Sequence, residues 1–164
     1  MSGTGNASTC HGLPLPPAQP HHGGVSAAAK ITGFRSTKTN SYADVLHTLA
    51  TKGPLAVSVA TDGWHDYAGG VFDGGNHTNP VLDHLVQLIG YGTDENTGQD
   101  YWLIRNSWTP LWGMNGTIRL LREASPSCGM DLNPLDGNGC KGGPPQVQVC
   151  GQSGVLYDGV YPTV

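Results

Sequence analysis

From Asn40 to Lys52 the apolar residues Tyr42, Val45, Leu46, Leu49 and Ala50 recur at the spacing of one helical face. Ser41 and Asp44 are spaced as a capping box before this face, and Gly53-Pro54 stops it, so the pattern predicts a helix over 40–52. The chain then changes period. Leu55 to Ala60 is a β-branched, apolar run, and strand-like segments follow at His84 to Tyr91, Tyr101 to Arg105 and Thr117 to Leu121. One main helix leading into strands joined by Gly-rich turns predicts an α+β domain built on a mostly antiparallel sheet or barrel.

The ends read differently. Residues 1–24 collect Ser, Gly, Pro and His and contain too little apolar side chain to offset ordering entropy, which predicts a disordered tail. Residues 25–130 hold the periodic segments. Residues 131–164 are rich in Gly, Pro and Cys and lack periodicity, which predicts a loop-dominated extension. Eight Lys and Arg against twelve Asp and Glu give a net charge of −4 with no basic stripe, so neither nucleic acid nor an anionic membrane is an expected partner. No window approaches the ~20 apolar residues of a membrane span.

Four cysteines, Cys10, Cys128, Cys140 and Cys150, show no C-x-x-C pair, so they are read as disulfides or free thiols and not as a zinc site. The adjacent His21 and His22 lack further ligands. No metal and no cofactor is expected. Three sequons, at Asn6, Asn76 and Asn115, occur, a tripeptide that arises often by chance. Gly151-Gln152-Ser153-Gly154 is only a fragment of a G-x-S-x-G elbow with no predicted strand before it, and a serine hydrolase is set aside.

His84 opens the apolar run Leu85-Val86-Gln87-Leu88-Ile89, followed by Gly90-Tyr91-Gly92, and the next strand ends in Asn106-Ser107-Trp108. Together with Ile31-Thr32-Gly33-Phe34, Gly53-Pro54-Leu55-Ala56-Val57 and Tyr67-Ala68-Gly69-Gly70-Val71-Phe72, in this order, these segments resemble the papain family of cysteine peptidases over roughly Ala29 to Met130. The resemblance implies a papain-like right-hand half domain, with Tyr161-Pro162 as a terminal strand, and proteolysis by Cys-His-Asn chemistry. A thiolate nucleophile needs an adjacent imidazolium to lower its pKa, and His84 matches that partner. Asn106 matches the amide that fixes the ring's tautomer, and Trp108 the indole that covers their hydrogen bond, with Asp83 a supporting neighbour of the histidine. Leu82, Leu85 and Ser58 match the pocket for the second residue before the scissile bond, implying a preference for apolar side chains. A peptide or protein substrate and a lysosomal, vacuolar or extracellular location follow from the same resemblance.

Several family features have no counterpart. The nucleophile belongs to a C-G-[SA]-C-[WY] signature ~130–150 residues before the histidine, with a nearby glutamine for the oxyanion. Only 83 residues precede His84, and the one cysteine among them, Cys10, lies outside any such signature. The expected partner is therefore a helical, cysteine-bearing half, and the isolated chain is expected to be inactive. A non-catalytic peptide- or protein-binding pseudopeptidase module is the alternative. Thr109-Pro110 replaces a usual glycine, and Thr117 a usual aromatic. No cysteine stands shortly before His84 to pair with Cys128; four cysteines allow three pairings, and Cys140 with Cys150, both in Gly-rich sequence, is the expected disulfide.

Overall fold

Ser41 begins the helix by accepting the Asp44 N–H at 3.3 Å on its hydroxyl, which satisfies one of the donors a first turn leaves free. The reciprocal half of the box is displaced: the Asp44 carboxylate accepts the Lys38 N–H at 2.6 Å, and the Ser41 N–H donates to Lys38 O. The computed structural model describes residues 30–164. The predicted tail over 1–24 and Cys10 lie outside the described residues. Helix α1, Tyr42–Lys52, buries Val45, Thr48 and Leu49 and ends at Gly53, whose φ of 101° an L side chain would resist. Among the described residues, no helix is long and apolar enough to cross a membrane.

Seven strands form one sheet: β1 Gly33–Ser36, β2 Leu55–Val59, β3 Val71–Phe72, β4 His84–Thr93, β5 Asp100–Arg105, β6 Thr117–Leu121 and β9 Gly159–Thr163. Their spatial order is β1-β9-β2-β4-β5-β6-β3, with every pair antiparallel except β3 with β6. The edges β1 and β3 do not meet, so the sheet is open and not a closed barrel. Period-two alternation places Leu55, Val57 and Val59 of β2, Val86 and Leu88 of β4, Trp102 and Ile104 of β5, and Ile118 and Leu120 of β6 in one core with Val45 and Leu49 of α1. A bulge between Leu88 and Gly90 leaves Ile89 unpaired and shifts the register of the outer half of β4.

Two expectations change in the last third of the chain. Segment 131–164, expected as loop up to a terminal strand, holds a strand besides that one. Strand β8, Val147–Cys150, pairs with β7, Cys128–Asp131, while β9 inserts between β1 and β2, and Val155 and Leu156 are fully buried in the main core. These elements are four or five residues long, too short for periodicity to reveal them. The disulfide also differs: Cys128 bonds Cys150, and Cys140 is free and exposed. The β7–β8 register sets Cys128 opposite Cys150, whereas Cys140 lies in the connection between those strands. A disulfide needs Cα atoms within ~7 Å, and cross-strand register meets that condition where sequence spacing alone does not.

Candidate active site

Strand β4 starts with His84 on the same face as Val86 and Leu88, which leaves the imidazole at the rim of the core and only partly buried. Its neighbour β5 runs the opposite way and ends at Arg105, so the residue after it arrives beside the start of β4. That residue is Asn106, anchored by its N–H to Gly116 O at 2.9 Å. The two side chains meet: His84 Nε2 and Asn106 Oδ1 are 2.9 Å apart. An amide oxygen only accepts, so this bond requires the proton on Nε2 and leaves a lone pair on Nδ1. The Ser107 N–H donates to the same oxygen at 2.7 Å, which fixes the amide's direction, since the reversed amide would oppose two donors. Asn106 Nδ2 is buried without a hydrogen-bond partner among the described residues.

Trp108 lies beside this pair, its ring centroid 5.4 Å from that of His84 with planes at 33°. Two further indoles hold it, Trp112 at 5.1 Å and Trp64 at 6.3 Å, both edge-on. Trp64 is fully buried and donates its indole N–H to Ser153 Oγ at 3.1 Å; Trp112 donates its own to Trp64 O at 3.0 Å. On the Trp108 indole also lies the His65 ring, parallel within 7° and 4.6 Å away. Thr109, in the place of the family's usual glycine, adopts φ 85°, a left-handed conformation that strains a β-branched residue by about 1–3 kcal/mol. Nearby, burial raises the pKa of Tyr67, against the Arg119 N–H that bonds its oxygen.

The other expected residues divide. Asp83 turns its carboxylate to the N–H and hydroxyl of Thr61 at 3.1–3.2 Å, joining the start of β4 to the loop after β2 and leaving no hydrogen bond for the imidazole. Ser58 and Leu82 both line a cavity of about 270 Å³, with Pro134, Pro144 and Val147 among its apolar walls. Leu85 does not line it; it is the register partner of Ser58 across β2 and β4, on the face turned away from Val86 and Leu88, and is 61% exposed. Two residues that sequence reasoning missed contribute carboxylates there, Asp131 and Asp158. Asp158 accepts the Ser58 N–H at 2.7 Å and its hydroxyl at 2.9 Å. Asp131 accepts the N–H groups of Leu82 and Asn133. Neither forms an ion pair among the described residues. Tyr157-Asp158-Gly159 reads as a turn in sequence, and nothing local signals a cavity.

Known proteins with related sequences and folds correspond to this arrangement. The family described as Papain family cysteine protease matches residues 16–138. Cathepsin L of Sarcophaga peregrina is 38% identical over 114 residues, 67% of this chain and 33% of the relative. Fruit bromelain of Ananas comosus is 35% identical over 111 residues, 66% of this chain and 31% of the relative. Among solved structures, the bromelain protease from Ananas comosus in complex with the E64 inhibitor superposes with a TM-score of 0.64 at 31% identity, over 86% of this chain and 54% of that one. Digestive procathepsin L2 proteinase from Tenebrio molitor larval midgut gives 0.61 at 28% identity, over 84% of this chain and 35% of that one. The chain thus spans about a third of the length of the curated relatives it matches.

Proposed function

The chain belongs to the papain family of cysteine proteases, and from that membership we propose that it supplies the histidine and asparagine of a peptide-hydrolysing site whose thiolate comes from a cysteine-bearing helical half. The observation that carries this reading is the His84–Asn106 bond, which holds the proton on Nε2 and leaves Nδ1 without a hydrogen bond to the described residues. A thiol placed against Nδ1 would lose its proton to the ring, and the ion pair would stabilise the thiolate. The thiolate attacks the peptide carbonyl carbon, and the oxyanion of the tetrahedral adduct collapses as His84 gives its Nδ1 proton to the leaving amine. Water, deprotonated by the same nitrogen, then hydrolyses the acyl-enzyme and restores the thiol. Asn106 keeps the ring from turning between these steps, and Trp108 keeps water from competing for its oxygen.

The cavity shared by Ser58 and Leu82 supports a site for a substrate side chain, with the apolar preference modified by Asp158. A carboxylate with no cationic partner among the described residues, beneath apolar walls, favours a long side chain with a basic end, such as arginine or lysine, whose stem packs on Leu82 and Val147. The Cys128–Cys150 disulfide agrees with a lysosomal, vacuolar or extracellular setting. Residues 30–130 and 131–164 act together in this reading, since the cavity draws on both.

Mixing the purified chain with a separately produced helical half bearing the C-G-[SA]-C-[WY] signature, and following fluorogenic dipeptide substrates, tests the proposal. Turnover is expected only in the mixture, faster with arginine than with leucine at the second residue before the cut. His84→Ala should lower it by about 10²–10⁴-fold. Peptide binding by the chain without turnover in any mixture would favour the pseudopeptidase module instead. Turnover by the chain alone that vanishes in Cys10→Ser would place the nucleophile at Cys10.

A further inference from the structure

We propose that His65 is a proton-sensitive positioning residue for the His84–Asn106 pair, acting through the Trp108 indole that it stacks on. Its backbone is held firmly. Trp64 before it is fully buried, the Trp64 N–H donates to Thr61 O, and Trp64 O accepts the Trp112 indole. Its side chain, by contrast, is exposed and forms no hydrogen bond among the described residues. An exposed imidazole free to turn in water nevertheless lies within 7° of parallel to the indole at 4.6 Å, so the face-to-face contact is the attraction that orders it.

The strength of that contact depends on charge. An indole face is electron-rich, and a cation over it at an exposed site is held more strongly than a neutral ring by an amount that shifts the stacked population about two- to fivefold. A protonated His65 is therefore held more tightly on Trp108 than a neutral one, and Trp108 is the ring packed 5.4 Å from His84. The neighbouring charges do not oppose this. Segment 106–116, which holds Trp108, contains no titratable side chain, and the turn Trp64–Asp66 adds Asp66, with Asp62 just before it. The start of β4 adds His84 and Asp83, whose carboxylate is bonded to Thr61. A protonated His65 thus has acidic residues on its own segment and one other imidazole across the indole.

The naming of His84 and Asn106 as catalytic rests on the function proposed above, but the coupling of His65 to Trp108 can be read in this chain by itself, without a thiol or substrate. Protonated imidazole in contact with indole quenches its emission, whereas neutral imidazole does so weakly. Tryptophan emission should fall between pH 8 and pH 5, keep that fall in His84→Gln, and lose it in His65→Phe, which retains an aromatic stack without a proton. The Trp108 indole N–H, assigned with Trp108→Phe, should exchange with solvent about two- to fivefold more slowly in the parent than in His65→Phe at pH 5, and at equal rates at pH 8. His65→Asn provides a second variant that is small, polar and compatible with an exposed turn. A fall in emission that survives in both His65 variants, or that disappears in His84→Gln, would overturn the proposal.

Discussion

Cutting the Cys128–Cys150 bond is the perturbation whose magnitude the structure defines most directly. The bond ties the ends of β7 and β8 across a sequence separation of 22 residues, and Val149 and Cys150 at that end are 1% and 4% exposed. Closing a loop of that length in the unfolded chain corresponds, in the chain-entropy account, to about 3.4 kcal/mol. Cys128→Ser isolates the link, because Cys128 is exposed and a hydroxyl there costs little, while Cys150 remains as a small apolar group in its buried place. The background should carry Cys10→Ser and Cys140→Ser, so that no other thiol can capture Cys150. Urea unfolding followed by circular dichroism should then show stability lower by about 3 kcal/mol and an increased m value, since the unfolded chain expands. Thermal unfolding should shift down by about 7–14 °C, from ~2–4 °C per kcal/mol for a domain of this size. A loss under ~1 kcal/mol, or non-reduced peptide maps of the unsubstituted chain linking Cys140 to Cys150, would refute the register and the reasoning together.

Replacing Asn106 by alanine removes the acceptor that selects the Nε2–H tautomer of His84; a neutral hydrogen bond of about 1 kcal/mol corresponds to about a fivefold change in tautomer ratio, readable from imidazole ¹⁵N shifts. Unchanged shifts would mean that the amide does not set the ring. The third prediction concerns acid. The Thr97 N–H, with the Asn96 N–H, the Thr97 hydroxyl and the Arg119 guanidinium, holds the Asp94 carboxyl below its usual value against its desolvation. Its contribution to the β4–β5 turn is therefore present above the unfolded carboxyl value of ~3.9 and lost as pH falls through the lower folded one. Amide exchange at Asn96 and Thr97, corrected for intrinsic rates, should rise in that window, and Asp94→Asn should abolish the dependence.

Helix α1 and strands β2, β4, β5 and β6 were legible in the chain because each contains enough residues for a 3.6- or 2-residue apolar period to stand out from its surroundings. His84 and Asn106 were legible through the resemblance of the motifs around them to the papain family, each motif being linear and lying at the end of such a strand. The same local logic explains Ser41 as cap and Gly53 as stop. It fails for β7 and β8, whose pairing, and with it the choice of Cys150's partner, depends on which segments the core brings together. It fails again for the cavity: Leu82 and Ser58 line it and Leu85, the register partner of Ser58, does not, because the remaining walls come from residues 131–158, distant in the chain. Asp158, from the far end of the chain, bonds Ser58 only because β9 slots beside β2, and His65 meets Trp108 only because three indoles from two loops pack as one unit. Periodicity and capping are properties of neighbouring residues, so the sequence alone determined the elements and the two ends that carry the histidine and asparagine. Sheet order and loop packing join residues distant in the chain, and only the tertiary structure decided the disulfide, the cavity and the second imidazole on the indole.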